Sequence, residues 1–155
     1  MRLGIDDYFT NMATVVALRS TCARRAVGCV LVDEHNHVLA TGYNGVARLR
    51  PHCIDVPCPG ATCKTGQGLE LCEAIHAEQN ALLQCKDVFK IYAAYCTTAP
   101  CAHCVKLLSN TSCQEIVFIQ SYEHARSDLW SGGWRRHWNE RLERTLTTRR
   151  LPGTV

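Results

Sequence analysis

His76-Ala77-Glu78, followed downstream by Pro100-Cys101-Ala102-His103-Cys104, is the stretch that decides the reading of this chain. A His, a Glu two residues on and a Pro-Cys-x-x-Cys pair form the parts of a zinc hydrolase. His76, Cys101 and Cys104 can supply three zinc ligands and leave the fourth position open for water. Zinc held this way makes hydroxide available near neutral pH. Glu78 lies outside the ligand set and can shuttle protons. Cys101 and Cys104 are i,i+3 and so share one face of a helical turn. Pro100 suits a helix start, and a helix N-terminus favours thiolates. His76 and Glu78 at another helix start can face the same pocket. A Cys-x-x-Cys alone could be a redox pair or half of a zinc ribbon. A lone His on an apolar helix is usually a satisfied core residue. The two motifs in this order, about 25 residues apart, argue against both.

The 155 residues form one domain, 1–155, large enough for a core without staples. No apolar run approaches membrane length. Met1 to Asp7 contains no hydrophobic core of a secretory signal. The eleven cysteines are odd in number, and several stand at metal spacing. A reduced cytoplasmic protein with metal sites fits this better than a disulfide scaffold; for a viral chain the compartment is the host cytoplasm. The net charge of +3 suits anionic ligands such as nucleotides and does not demand nucleic acid or a membrane. Basic residues gather late, at Arg135, Arg136, Arg141, Arg144, Arg149 and Arg150. A solvated helix face or a subunit contact explains them better than a phosphate or polynucleotide patch.

Helical spacing of Tyr8, Met12, Val15 and Val16 predicts a helix from about Asp6 to Ser20, with Asp6 or Asp7 as its cap. Val27–Val32 and Val38–Thr41 form a hairpin around Asp33-Glu34-His35-Asn36. Gly42 and Gly45 break the second strand and would let backbone approach a ligand. A long Gly/Pro-rich loop runs from about Val46 to Gly68 and is functional or held by something. Leu69–Cys85 reads as a helix, Ile91–Thr97 as a buried strand, Cys101–Ser109 as a short helix and Glu115–Gln120 as a strand. Trp130, Trp134, Trp138, Arg141, Leu142 and Leu146 would line a C-terminal helix. Alternating strands and helices imply an α/β domain with a sheet covered by helices.

The chain resembles the deoxycytidylate (dCMP) deaminase family of the cytidine deaminase-like superfamily, from Arg19 to about Tyr122. Arg19-Ser20-Thr21-Cys22-Ala23-Arg24-Arg25, Val27-Gly28, Thr41-Gly42-Tyr43-Asn44-Gly45, Leu71-Cys72, His76 to Ala81, Thr97 and Pro100 to Cys104 carry the likeness. His-Ala-Glu with Pro-Cys-x-x-Cys marks the superfamily, whose signature is that of zinc deaminases of nucleobases. Thr-Gly-Tyr-Asn-Gly and the cysteine-bearing loop mark the dCMP branch. The resemblance implies a three-layer α/β/α fold with a mixed sheet of about five strands. It implies catalytic zinc on His76, Cys101 and Cys104, with Glu78 protonating N3 and then the leaving amine. Hydroxide attack on C4 of dCMP would release ammonia and give dUMP, the precursor for thymidylate synthesis. dCTP, a 5-substituted dCMP or a polynucleotide base are the alternative substrates. Asn44 would contact the sugar, and Thr41, Ala77, Thr97 and Tyr122 would complete the substrate contacts. A second, structural zinc would sit on Cys22, Cys53, Cys58 and Cys72, with Cys63 a rival to Cys58; four thiolates around a long loop make a closed clamp. Cys29, Cys85, Cys96 and Cys113 fall in strand or helix patterns and suit core packing. Arg24, Arg48 and Arg126 are candidates for the phosphate. A homo-oligomer, a hexamer, with dCTP and dTTP as effectors is also implied. The chain departs from the family at Val46-Ala47-Arg48, where a small residue and Pro are usual, and in the segment from about 125 to 155.

Overall fold

Strands β1 (Gly28–Val32) and β3 (Ala93–Thr98) are buried along their whole length, which fits strands covered on both faces. They lie inside a five-stranded sheet ordered β2-β1-β3-β4-β5, with β2 at Val38–Tyr43, β4 at Glu115–Gln120 and β5 at Gly133–Arg136. β1 runs antiparallel to β2 and β3, whereas β3, β4 and β5 are mutually parallel. The computed structural model describes residues 1–64 and 66–147.

Period-two alternation sends each strand's side chains to two separate cores. Val30, Val32, Ala93, Tyr95 and Val117 pack under helix α1 (Ile5–Ala17) through Phe9 and Ala13. Cys29, Leu31, Ala94, Cys96, Ile116 and Phe118 pack on the other face, under α2 (Ala77–Gln84) and α3 (Ala102–Ser109) through Ala77, Ala81 and Leu108. The expected three-layer α/β/α sheet of about five strands is the architecture found. Cys29, Cys96 and Cys113 are core residues and Cys85 packs against them.

Four local expectations are corrected. Helix α1 buries Phe9, Ala13 and Ala17, an i,i+4,i+8 row of mostly small residues, while Tyr8 and Val15 face solvent. Small residues win that face because the sheet lies close: a Cβ at Gly28 would meet the α1 backbone at Ala13 and Ala17. Gly4, and neither Asp6 nor Asp7, is the N-cap; both acids lie in the first turn. The helix expected from Leu69 begins only at Ala77, because Ile75 is drawn into a β-bridge with Gly45. Ile75 N–H donates to Gly45 O at 2.8 Å and Gly45 N–H to Ile75 O at 3.1 Å. Gly42 and Gly45 admit protein and not ligand: a Cβ at Gly42 would meet the α2 backbone at Ala77 and Ala81, and one at Gly45 would meet Thr21 Oγ1.

The C-terminal segment is not one helix. Trp134 lies in edge strand β5 and stacks on Phe118 with centroids 5.0 Å apart, and Trp130 packs beside the same core. Arg141, Leu142 and Leu146 lie in helix α4 (Glu140–Thr147), whose two leucines cover Ala17 and Ile119. Trp138, between the two elements, is exposed under the Arg136 guanidinium. Three arginines of this segment are engaged within the fold. Arg135 bridges Asp6 and Glu115, Arg136 pairs with Glu143, and Arg144 pairs with Glu140. Arg149 and Arg150 lie outside the described residues.

Candidate active site

Two helix N-termini meet beyond the carboxyl end of β3. His76 is the N-cap of α2, and its N–H donates to Gln79 Oε1 at 2.9 Å in a capping exchange. Asn80 Nδ2 donates to Tyr43 O at 2.8 Å and ties α2 to the end of β2. Cys101, after Pro100, is the N-cap of α3, and Val105 N–H donates to its carbonyl at 2.9 Å. Glu78 therefore stands in the first turn of α2 and Cys104 in the first turn of α3. Both helix dipoles point their positive ends at this spot, which favours thiolate and carboxylate.

The geometry suits a metal ion. His76 Nδ1 lies 3.4 Å from Cys101 Sγ and 3.4 Å from Cys104 Sγ. The three ligand atoms all fall within 4.8 Å of one another. Tetrahedral zinc with bonds of about 2.0–2.3 Å needs ligand separations of this order. Among the described residues no second set of three His, Cys, Asp or Glu side chains meets this spacing.

The electrostatics of the cluster follow from proton sharing. Cys104 hydrogen-bonds Cys101 and holds its thiol down to about 3, against burial. The same bond pushes the Cys104 thiol far up. One thiolate is thus ready at Cys101, and a metal would displace the proton from Cys104. The bond with Cys101 raises His76. Glu78 is 4% exposed, and burial raises its carboxyl. The Cys104 thiol donates to Glu78 Oε2 at 3.4 Å, so the carboxylate borders the ligand set.

A cavity of about 650 Å³ opens over this cluster, within the range of small-molecule sites. Asn44, Ala77 and Tyr122 line it, and Thr41 and Thr97 do not. Thr41 pairs with Val30 and so faces the α1 side of the sheet. Thr97 is fully buried on that side, and its Oγ1 accepts from Gly28 N–H at 3.1 Å. The next residue, Thr98, lines the cavity instead. Asn44 is mostly committed to protein. Its Oδ1 accepts from Ser20 Oγ at 2.6 Å and Val27 N–H at 2.9 Å, and its Nδ2 donates to Arg25 O at 2.8 Å. It braces the Ser20–Val27 turn that brings Arg24 and Arg25 to the cavity.

Arg25, absent from the sequence expectations, stands over the Tyr122 ring at 5.2 Å on the cavity wall. Arg24 also reaches the wall, but its guanidinium donates to Lys64 O at 2.8 Å and Gln67 O at 3.0 Å. Arg48 and Arg126 lie off the cavity, and Arg126 pairs with Asp128. The place over the Tyr122 ring separates Arg25 from Arg24, and sequence spacing carries no such signal.

The four thiols expected around a second zinc are found as two pairs. Cys72 hydrogen-bonds Cys22 and lowers that thiol to about 6. Cys58 N–H points at Cys53 Sγ, 3.5 Å away, in a small cluster with Ala23 and Ala61. Cys63 lines the cavity.

Residues 4–120 match the model of the cytidine and deoxycytidylate deaminase zinc-binding region. The chain belongs to this deaminase family. It is 42% identical over 124 residues to the deoxycytidylate deaminase of Saccharomyces cerevisiae, covering 79% of this chain and 39% of that protein. The deoxycytidylate deaminase of Schizosaccharomyces pombe is 39% identical over 135 residues, 83% of this chain and 42% of that one. The chain thus spans about two fifths of the length of these two deaminases. For the deoxycytidylate deaminase of Mycobacterium phage D29 the identity is 37% over 120 residues, covering 73% of this chain and 92% of the phage protein. The crystal structure of a dCMP deaminase from cyanophage S-TIM5, in complex with dCMP and dUMP, shares the fold with a TM-score of 0.70. It is 22% identical and covers 88% of this chain and 99% of its own.

Proposed function

We infer that this chain is a zinc-dependent hydrolase that converts dCMP and water to dUMP and ammonia. The observation that carries the reading is the buried Glu78 carboxylate set against the His76, Cys101 and Cys104 ligand atoms. Bound at these three residues, zinc supplies a hydroxide nucleophile near neutral pH. Glu78 holds and moves the protons: it takes one from the attacking water and gives it to N3, then takes the second from the new hydroxyl on C4 and delivers it to the departing amine. Burial raises its carboxyl, the direction that suits a group that must both accept and donate protons. Arg25 and Tyr122 on the cavity wall suit an anionic, ring-bearing ligand.

The basic residues of the C-terminal segment favour a nucleotide over a polynucleotide. Arg135, Arg136 and Arg144 are spent on pairs within the chain, and a polynucleotide groove would need them free for phosphates. dCTP and 5-substituted dCMP remain the alternative substrates. Ammonia release from dCMP, with dUMP identified as product, tests the reading; zinc-loaded protein that leaves every cytosine nucleotide unchanged overturns it.

The catalytic zinc is one ion per chain. A second, on Cys22, Cys53, Cys58 and Cys72 with Cys63 as the rival to Cys58, requires the two thiol pairs to close on one ion. Metal analysis of pure protein separates one equivalent from two. We also propose a homo-oligomer, a hexamer, with dCTP and dTTP as effectors, acting in the cytoplasm; sedimentation of the zinc-loaded protein reads its assembly. No helix among the described residues is long and apolar enough to cross a membrane.

A further inference from the structure

We propose that Thr98 is a specificity-determining residue whose hydroxyl hydrogen-bonds a polar atom of the bound pyrimidine ring. Thr98 ends β3 and is 4% exposed, and it lines the cavity over the zinc ligands. Its Oγ1 is a buried side-chain oxygen with no hydrogen-bond partner among the described residues. A buried hydroxyl without a partner is costly, and most are satisfied. The adjacent threonine shows the contrast, since Thr97 Oγ1 is occupied by Gly28 N–H on the other side of the sheet.

Strand parity places Thr98 at the base end of the cavity. It faces the same way as Cys96, which packs in the core with Ala77 of α2 and with Ala99. Glu78 is the next residue of α2, and Cys101 follows Thr98 by three. Arg24 and Arg25 come from the Ser20–Val27 turn to the cavity wall, and Arg25 stands over Tyr122. A ligand with its ring at Glu78 and its anion at Arg25 therefore offers Thr98 a ring atom. The hydroxyl can donate or accept, so it can serve substrate and product alike. A site built to hydrogen-bond its ligand discriminates strongly against ligands that leave the group unpaired.

The assignment rests on the deaminase reading. Its test is the affinity of the unreactive product dUMP, measured by calorimetry on zinc-loaded wild type, Thr98→Val and Thr98→Ser. Valine keeps the shape and removes the hydroxyl, and serine keeps the hydroxyl. We expect roughly tenfold weaker dUMP binding in T98V, near wild-type binding in T98S, and no loss of melting temperature in ligand-free T98V. Equal dUMP affinity in T98V and wild type overturns the assignment, as does a T98V that melts early, which marks a structural hydroxyl. Wild type that binds no dUMP also overturns it. Ammonia release by wild type is scored separately: binding with the T98V loss but without turnover removes the deaminase reaction and keeps Thr98 as a ring contact.

Discussion

Glu78 cannot act as a metal ligand and a proton carrier at once, and its placement outside the three ligand atoms supports the second role, the one proposed for it. It borders Cys104 without belonging to the set of three ligand atoms. Glu78→Gln keeps size and burial but cannot carry a proton. We expect intact zinc content and a fall in kcat of about 10²–10⁴-fold, the usual contribution of acid–base transfer; a variant within twofold of wild type would refute the role. His76, Glu78, Cys101 and Cys104 were legible in the sequence because metal ligation demands particular residue types at tight spacing. Thr97 against Thr98 was not. β3 is buried on both faces, so hydrophobicity gives no alternation from which to read parity. Asn44 was legible as a cavity residue, but not as the brace of the Ser20–Val27 turn, because its partners lie 17 to 24 residues away.

At the scale of elements, the central strands and α3 were readable from apolar runs and from Pro100. The segments that failed are those where tertiary contact overrides local pattern. The Ile75–Gly45 bridge stops the apolar periodicity of 69–76 from becoming helix. β5 is short and exposed, so it carries almost no hydrophobic signal. It is fastened through side chains: Arg135 donates to Asp6 of α1 at 2.6 Å and also pairs with Glu115 of β4. Arg135 holds the Asp6 carboxyl below its ordinary value of 3.8. A carboxyl depressed in the folded state stabilises fully above its unfolded value and loses that contribution as pH falls through the folded one. Arg135→Ala should cost about 1 kcal/mol at neutral pH, in the range for a partly exposed pair. The difference from wild type should vanish in strong acid. Urea unfolding at both pH values checks this, and a penalty that grows on acidification would contradict it.

For the whole molecule, the last described elements complete the fold. β5 extends the sheet beside β4, and α4 covers Ala17 and Ile119. The divergent composition of residues 125–147 thus accompanies an ordinary structural role. That role was hidden in the sequence because the tryptophans and arginines engage partners far away, in α1, β4 and the sheet core. The cavity brings the His76, Cys101 and Cys104 cluster, the buried Glu78 carboxyl, and Arg25 over the Tyr122 ring into one space, and the proposed pyrimidine deoxynucleotide substrate would use all of them.

The most direct measurement is ammonia release, with product identified, from zinc-loaded protein given dCMP, dCTP, CMP, deoxycytidine, 5-methyl-dCMP and a short single-stranded oligonucleotide. The expected result is dUMP and ammonia from dCMP, and no reaction on the oligonucleotide. Turnover of the oligonucleotide alone, or of nothing in the panel with zinc bound, would contradict it.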